Sequence, residues 1–233
     1  MKISVAIICF NEERIIEACL MQARKLADEI IIIDSGSCDK TLEIATKYTN
    51  KIFHQAWLGY SKQKNLAIDK CSNAWILSLD ADEVLTDELI QEIKDLKIEN
   101  FDAYKISRKL FINKRFIRYG GYYPDYQLRL FRKDLGKFND REVHESIELA
   151  SDKITNLKEP LNHYAYESFS DMQKAFDKYS ALGKKPLNPI WALLKSIYTF
   201  TNKYFLRLGF LEGTLGLKLA LMHANYTLKK YLA

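Results

Sequence analysis

The chain of 233 residues predicts an α/β fold in which a doubly wound, mixed but mainly parallel sheet is followed by a C-terminal helical extension. Three observations support this fold class. Apolar strand-like segments alternate with amphipathic segments along the first 100 residues, polar residues follow directly where the apolar segments end, and the composition changes after residue 183. Together they indicate one domain of ordinary size with an appended segment.

The first 100 residues are predicted to contain four strands, each followed by a helix, and the first two strands are expected to be buried. Ile3–Phe10 is a short β-branched run, as expected for a strand covered on both faces. Apolar residues then recur every three or four positions from about 12 to 27, which predicts a helix. The later elements are strands at Glu29–Asp34, Lys51–Trp57 and Ala74–Leu79, and helices at Thr41–Tyr48, Lys62–Lys70 and from Thr86 to about Leu96.

The pattern after residue 100 favours a partly antiparallel continuation of the sheet. Phe101–Phe111 and Tyr126–Arg132 alternate like strands, Val143–Leu149 is a further candidate, and Ser168–Leu182 has helical periodicity. Gly183–Pro189 holds two of the four prolines and is the best boundary. We therefore expect an α/β domain at 1–182 and a helical tail at 183–233.

Composition excludes several classes of protein. Nine glycines, four prolines and four cysteines do not fit a collagen, a low-complexity chain or a disulfide-rich mini-protein. The cysteines form no CxxC pair and the four histidines show no zinc spacing, which favours reduced thiols in a cytosolic protein. The N-terminal apolar run is short and no cleavage site follows it, so we expect no signal peptide.

The tail differs from the body in charge. From Gly183 onward there are eight Lys and Arg and one acid, which gives +7, whereas residues 1–182 carry −2. Aromatic and Leu residues are interspersed among these charges, a pattern typical of a helix lying on an anionic membrane surface rather than of a nucleic-acid-binding arm. No stretch is long enough to cross a bilayer. A buried helical layer or an oligomer interface is the alternative.

The sequence Asp80-Ala81-Asp82 follows the fourth predicted strand directly. Two carboxylates one residue apart on a tight turn can both reach one hard cation, and Mg²⁺ or Mn²⁺ keeps ligand positions open for substrate phosphates. The alternative is an acidic cluster that interacts favourably with the dipole of the helix starting near Thr86.

A second candidate site residue, Asp34, ends the second strand and precedes Ser35-Gly36-Ser37. A carboxylate here can accept hydrogen bonds from a ribose or a base, although a well-capped turn would use the same residues. A nicotinamide-dependent dehydrogenase is disfavoured because no GxGxxG follows the first strand, and no Walker lysine pattern is present.

Six segments in this order carry a resemblance to a known family: AIICFNEE (6–13), EIIIIDSGSCDKT (29–41), KQKNLAI (62–68), WILSLDADE (75–83), YPDYQLRLFRK (123–133) and REVHE (141–145). The chain resembles the inverting GT-A fold glycosyltransferases of family 2, and among them the small transferases that add a hexose to the lipopolysaccharide or lipooligosaccharide core. The resemblance covers about residues 1–182.

The resemblance implies a UDP-sugar donor and assigns roles to individual residues. Asn11 and Glu12 would border the nucleoside, Asp34 would bind uracil or ribose, and Lys64 would lie near the nucleotide. Asp80 would face the ribose and the metal, and Asp82 would coordinate the Mn²⁺ or Mg²⁺ that bridges the diphosphate.

An inverting transfer also needs a base that takes the proton from the acceptor hydroxyl. The resemblance makes Glu145 the first choice and Asp125 the second, and the alternative for Glu145 is a surface carboxylate of an alternating strand. Arg129 and Arg132 are candidates for binding the diphosphate or a phosphorylated acceptor, because a guanidinium binds phosphate in a bidentate manner. Outward-facing arginines of a strand are the alternative. His144 could hold a diphosphate oxygen, whereas His163 is expected only to support the closing strand.

The sequence thus predicts a metal-dependent enzyme on the inner face of the cell membrane that moves a hexose to a glycolipid. Alternatives are a nucleotidyltransferase that makes sugar nucleotides, a transferase acting on a polyprenyl phosphate, and a non-enzymatic nucleotide-sugar-binding protein. The transferred hexose, the acceptor and the oligomeric state stay open.

Overall fold

The computed structural model describes residues 1–97, 100–140, 145–182 and 185–232, with side chains at 178–182 left out. The chain divides into two compact units. The first, here the sheet unit, comprises Met1–Arg108 and Asp125–His163. The second, the helical unit, comprises Lys109–Pro124 and Tyr164–Ala233, so it groups the tail with two earlier segments. The domain boundary at 183 stays a prediction.

Four parallel strands form one side of the sheet, in the order β3-β2-β1-β4. They are β1 Ile3–Cys9, β2 Glu29–Asp34, β3 Ile52–His54 and β4 Trp75–Asp80. Every residue of β1 and β2 is buried, which explains their continuous apolar character. The predicted α/β fold class is confirmed.

Three short helices connect these strands, and a fourth follows β4 and leads to the rest of the sheet. They are α1 Ile16–Ala23, α2 Thr41–Ala45, α3 Tyr60–Lys70 and α4 Asp87–Lys94. The hydroxyl of Thr86 accepts a hydrogen bond from the amide of Leu89 at 3.2 Å, so Thr86 caps α4, which begins next to the predicted position. The helix α2 is shorter than predicted.

The rest of the sheet is largely antiparallel, as expected from the alternation after residue 100. Its strands are β5 Glu83–Val84, β6 Ala103–Ile112, β7 Arg115–Phe116, β8 Asp125–Arg132, β11 Ile154–Asn156 and β12 Leu161–Tyr166. Two further strands, β9 Gly136–Phe138 and β10 Ile147–Leu149, pair antiparallel with each other in a separate two-stranded sheet. The central strand β8 pairs antiparallel with both β4 and β6. Strand β12 pairs with the short strand β5 that follows the Asp80-Ala81-Asp82 loop. This pairing brings a C-terminal strand close to that loop.

The helical unit contains α5 Phe169–Leu182, α6 Pro189–Thr201 and α7 Thr214–Tyr231. A π-helical turn at Asn202–Leu206 and a 3₁₀ turn at Gly209–Glu212 lie between α6 and α7. The helix α7 passes very close to the 3₁₀ turn: a Cβ atom on Gly216 would lie 1.9 Å from the carbonyl oxygen of Gly209. Within the described residues, no helix has the length and apolar character needed to span a membrane.

One buried carboxylate anchors the 3₁₀ turn. Glu212 accepts hydrogen bonds from the backbone amides of Arg118 at 2.8 Å and Tyr119 at 3.0 Å. It also pairs with the guanidinium of Arg115 at 2.9 Å. The charge of the one acid of the tail is therefore compensated by an ion pair and by hydrogen bonds inside the helical unit.

Candidate active site

The carboxyl ends of three parallel strands meet at one edge of the sheet unit. Cys9 lies opposite Asp34 in the pairing of β1 with β2, and Ile8 lies opposite Asp80 in the pairing of β1 with β4. The loops that leave these strands are consequently neighbours, and ligand sites of open α/β sheets lie at such an edge. The structure therefore brings together the loops that the sequence singled out.

Asp34 is buried and ionised at the end of β2. Its carboxylate accepts hydrogen bonds from the backbone amides of Gly36 at 2.8 Å and Ser37 at 3.1 Å. Burial by itself would raise the pKa of Asp34, but the hydrogen bonds from Ser37 and Gly36 outweigh it and lower the pKa. Gly36 has φ of 101°, a conformation that permits this tight turn. Asp34 is thus a fixed negative charge at the rim.

The loops after β1 and β2 are joined by hydrogen bonds through their side chains. The amide of Asn11 donates to the hydroxyl of Ser37 at 2.9 Å, and the side-chain oxygen of Asn11 accepts from the amide of Cys38 at 2.9 Å. The amide of Glu12 donates to the hydroxyl of Thr41 at 2.7 Å. Asn11 itself has φ of 55°, which Asn tolerates better than most residues. These contacts fix the two loops against each other.

The Glu12 carboxyl lies in a strongly negative environment. Burial raises its pKa to about 7, and repulsion from Asp82 contributes to the shift. The carboxylates that follow β1 and β4 are therefore close enough to influence one another. Perturbed carboxyls of this kind concentrate at functional sites.

Asp80 forms ion pairs with two buried cations. One carboxylate oxygen lies 2.7 Å from Lys64 Nζ and the other lies 2.8 Å from Arg129 Nη2. Burial would raise the pKa of Asp80, but Lys64 and Arg129 hold it far below its usual range. Lys64 Nζ also lies 3.2 Å from Oε1 of Glu145. Four residues predicted from the sequence thus form one network of charges.

The network continues through Glu83, which is fully buried. Its Oε1 atom accepts hydrogen bonds from Arg129 at 2.6 Å and from Arg108 at 3.3 Å. Its Oε2 atom accepts from the backbone amide of Asp80 at 3.1 Å. Glu83 therefore fixes the shape of the Asp80-Ala81-Asp82 loop and links it to β6 and β8.

Asp125 lies at the far end of this network, on the first residue of β8. It accepts hydrogen bonds from Arg108 Nη2 at 2.6 Å and from Gln127 Nε2 at 2.8 Å. Burial would raise the pKa of Asp125, but the charge and hydrogen bonds of Arg108 lower it. An Asp held in this way is a weak proton acceptor.

Asp82 contacts a histidine from a distant part of the chain. His163 Nε2 in β12 lies 3.3 Å from Oδ2 of Asp82. Burial would lower the pKa of His163, but the hydrogen bond to Asp82 raises it above its ordinary value. His163 does belong to the closing strand, as expected, and it also reaches the Asp80-Ala81-Asp82 loop.

Arg132 is not part of this group, so its predicted role at the diphosphate finds no support in its position. It pairs with Trp75, the first residue of β4, and therefore lies at the opposite end of that strand from Asp80. Its guanidinium pairs with Asp134 at 2.7 Å and with Asp102 at 3.8 Å. Arg129 and Arg132 are three residues apart, so their side chains leave opposite faces of β8. His144 lies outside the described residues.

The donor set fits a hard cation that receives most of its ligands from a substrate. Among the described residues there is no group of three or more side chains able to hold a metal ion by themselves. Both oxygens of Asp80 are engaged by cations, whereas Asp82 has one ion-pair contact within the described part of the chain, to His163. Mg²⁺ is commonly bound by one or two carboxylates together with phosphate oxygens and water. Asp82 is suited to such a site.

Comparisons with known proteins agree with this geometry. A family model described as glycosyl transferase family 2 matches residues 4–147. An uncharacterized glycosyltransferase of Rickettsia bellii is 34% identical, over 91% of this chain and 79% of its own length. The lipopolysaccharide core biosynthesis glycosyltransferase LpsC of Rhizobium meliloti is 30% identical, over 91% of this chain and 82% of its own length.

Solved structures show the same fold at low identity. S. aureus TarS 1–349 in complex with UDP is 18% identical, covers 92% of this chain and 75% of its own, and gives a TM-score of 0.52. Its complex with UDP-GlcNAc gives 0.50 at 19% identity, over 99% of this chain and 82% of that chain. Glucosyl-3-phosphoglycerate synthase from Mycobacterium tuberculosis, in complex with phosphoglyceric acid, gives 0.51 at 14% identity, over 74% and 75% of the two chains.

The fold and these relatives define a glycosyltransferase of the GT-A type. The family model covers more than half of the chain, and the chain therefore belongs to glycosyl transferase family 2. The predicted family and enzyme class are confirmed.

Proposed function

We propose that the protein transfers a hexose, with inversion, from a UDP-sugar to a glycolipid of the lipopolysaccharide or lipooligosaccharide core, and that it requires Mn²⁺ or Mg²⁺. The observation that carries this proposal is the gathering of Glu12, Asp34, Asp80 and Asp82 at one edge of the sheet. Burial raises the pKa of Glu12 to about 7, and repulsion from Asp82 in the neighbouring loop adds to the shift. A divalent cation and a diphosphate together would complement this edge.

The donor part of the proposal rests on residues around β1 and β2. Asp34 is a fixed carboxylate that can receive hydrogen bonds from uracil or ribose, with Asn11 and Glu12 in the adjoining loop. Lys64 supplies the buried ammonium near the nucleotide. The TarS complexes with UDP and UDP-GlcNAc support a uridine diphosphate donor.

For the metal, Asp82 would be the principal protein ligand. The two oxygens of Asp80 already pair with Lys64 and Arg129, so Asp80 would be secondary to Asp82 at the metal. It would act as a second ligand or face the ribose. When bound, the ion would act as a Lewis acid that stabilises the negative charge developing on the leaving UDP. Arg129 would hold Asp80, and His163 would orient Asp82.

For the base, Glu145 is a better candidate than Asp125. Asp125 is tied to Arg108 and its pKa is lowered, which weakens it as a proton acceptor. Glu145 would take the proton of the acceptor hydroxyl while that oxygen forms a bond to the anomeric carbon, and the bond from that carbon to UDP breaks on the opposite face. Lys64, 3.2 Å away, would keep the Glu145 carboxylate in place.

The acceptor proposal is supported by the similarity to LpsC, a lipopolysaccharide core glycosyltransferase. A lipid-linked acceptor would place the enzyme on the inner face of the cell membrane, as a peripheral protein that contacts anionic lipid through its basic tail. A polyprenyl phosphate is the alternative acceptor. Oligomerisation through the tail is compatible with either.

A screen of UDP-sugars for binding and turnover with Mn²⁺, followed by transfer to truncated core glycolipids, tests the proposal. Asp82→Asn should lower kcat/KM by about 1,000-fold, because the charge that holds the ion is removed. Asp87→Asn is the matched control, since Asp87 is an exposed acid at the start of α4 that pairs with Lys25.

Two outcomes would contradict the proposal. Full transfer activity in Asp82→Asn would remove the metal assignment. Release of pyrophosphate from a sugar phosphate and UTP, rather than release of UDP, would show a nucleotidyltransferase instead.

A further inference from the structure

The helix α6 has its large apolar side chains on the outside. Six of them are between 48 and 69% exposed: Ile190, Trp191, Leu193, Leu194, Ile197 and Tyr198. At about 100° per residue they occupy an arc of about 160° on one side of the helix. We call this set the apolar face. A helix of a water-soluble domain normally directs such a face to the core.

Small residues occupy the opposite side of α6, which packs on α7. Ala192 and Ser196 are the buried residues of α6, and the hydroxyl of Ser196 donates a hydrogen bond to the carbonyl oxygen of Ala224 at 2.8 Å. Thr199 and Thr227 are in hydrogen-bond contact one turn further along. Small residues between helices and large apolar residues outside are typical of helices packed in lipid.

Exposed apolar residues continue beyond α6. Phe205 and Leu206 in the π-helical turn, and Phe210 and Leu211 in the 3₁₀ turn, are each more than 40% exposed. Exposure of this many large apolar side chains in one segment of the chain is typical of an interaction site.

The charge around this surface is positive. The helical unit contains fourteen Lys and Arg and four Asp and Glu. Lys195, Arg207 and Lys218 are exposed, whereas Glu212, the one acid between residues 185 and 232, is buried and paired with Arg115. Two copies of the helical unit would repel each other, whereas an anionic bilayer would attract either one.

We propose that the apolar face of α6 inserts into the headgroup region of an anionic bilayer, with the surrounding lysines and arginines contacting lipid phosphates. This inference deepens the membrane part of the proposed function and rests on that part alone. It replaces a general attraction of the tail to membranes with one defined insertion surface. Trp191 and Tyr198 suit this depth, since each combines an apolar ring with a polar group.

Flotation of the full-length protein with vesicles of equal parts phosphatidylglycerol and phosphatidylcholine tests the inference. The double variant Trp191→Gln, Ile197→Gln should bind about ten-fold more weakly or worse, since two inserted side chains lose their apolar contact. Trp57→Gln is the matched control, because Trp57 is a half-exposed tryptophan of the sheet unit, and it should bind like the wild type. Lys195→Gln with Lys218→Gln should weaken binding by about five-fold per lysine, and only on vesicles that contain phosphatidylglycerol.

Lipids brominated in their acyl chains measure insertion directly. Quenching of the wild-type tryptophan fluorescence should largely disappear in Trp191→Phe. Unchanged vesicle binding in the double variant would overturn the inference. The inference would also be overturned if the wild type sediments as a dimer and the double variant as a monomer, because a second copy of the chain would then cover the apolar face.

The vesicle assay contains no nucleotide or acceptor, so its result is independent of the transferase proposal. A protein that binds vesicles through α6 but transfers no hexose would leave this inference standing. If the protein transfers a hexose but does not bind vesicles through α6, only the insertion inference is refuted and the transferase proposal is unaffected.

Discussion

Each end of the parallel strands has a glutamate with a shifted pKa, and the two shifts have opposite directions. At the amino end, Glu29 is buried and receives hydrogen bonds from Ser4, from Lys51 Nζ at 2.5 Å, and from the amide and hydroxyl of Ser72 at 2.8 and 2.9 Å. Burial would raise its pKa, but Lys51 and the serines lower it to about 2.

At the carboxyl end, Glu12 keeps its proton up to a pH of about 7 because it is buried near Asp82. Burial alone therefore does not decide the charge of a carboxyl group, since the donors and charges around it also shift its pKa. The amino end is a satisfied structural site. At the carboxyl end, Asp34 and Asp80 are held by donors and cations, whereas Glu12 lies near the like charge of Asp82, and perturbed carboxyls of this kind concentrate at functional sites.

The largest effect is expected where the carboxyl end depends on a buried cation. Arg129→Met should destabilise the protein by about 3–5 kcal/mol, because fully buried Glu83 loses one of its two cations and Asp80 keeps only Lys64. Denaturant unfolding at pH 7 measures this. Arg132→Met is the control on the same strand, and its exposed pair with Asp134 should matter little. Equal losses in the two variants would mean that the buried network does not stabilise this end.

A smaller loss is expected at the amino end. Glu29→Gln should cost about 3 kcal/mol at pH 7, because the folded-state pKa of Glu29 lies below its unfolded value. That stability is complete above pH 4.5 and is lost as the pH falls toward 2. Denaturant unfolding between pH 3 and 7 should therefore show the difference from wild type shrinking with acid. A constant difference across that range would disprove the pKa assignment.

The smallest effect has the opposite sign. The folded-state pKa of Glu12 lies above its unfolded value, so the wild type loses stability as the pH rises from 4.5 through 7. In metal-free buffer, Glu12→Gln should be more stable than wild type by about 1–2 kcal/mol at pH 8 and equal to it near pH 4.5. The energy difference is reduced because Glu12 is partly exposed to solvent. Glu17→Gln, at an exposed position in α1, is the matched control variant. If Glu12→Gln is less stable than wild type at pH 8, the ionised Glu12 carboxylate does not destabilise the folded state.

The sequence predicts the parallel part of the fold and the acids at its edge well. β-branched runs that stop at Asp34 and Asp80 identify strand ends, and parallel strands necessarily bring those ends together. The family resemblance predicts site roles for Lys64 and Glu145. In the structure, Lys64 Nζ lies 2.7 Å from Asp80 and 3.2 Å from Glu145.

The antiparallel part could not be predicted in the same detail. Arg108 reaches Asp125 and Glu83 because of the register between β6 and β8, which shifts at a bulge between Tyr104 and Lys105. His163 reaches Asp82 because β12 pairs with β5, about eighty residues away in the chain. Alternation along a strand does not show which face of the strand lies at the site. The sequence therefore makes Arg132 a phosphate-binding candidate together with Arg129, although their side chains leave opposite faces of β8.

The close passage of α7 over the 3₁₀ turn has a consequence for mutational studies of this protein. Alanine at 216 would place a methyl group inside the carbonyl of Gly209, and alanine at 209 would meet the carbonyl oxygen of Lys203 at 2.4 Å. In a comprehensive substitution library, both positions should therefore reject every other amino acid. That intolerance would resemble a catalytic signature, although its origin is two backbones in van der Waals contact.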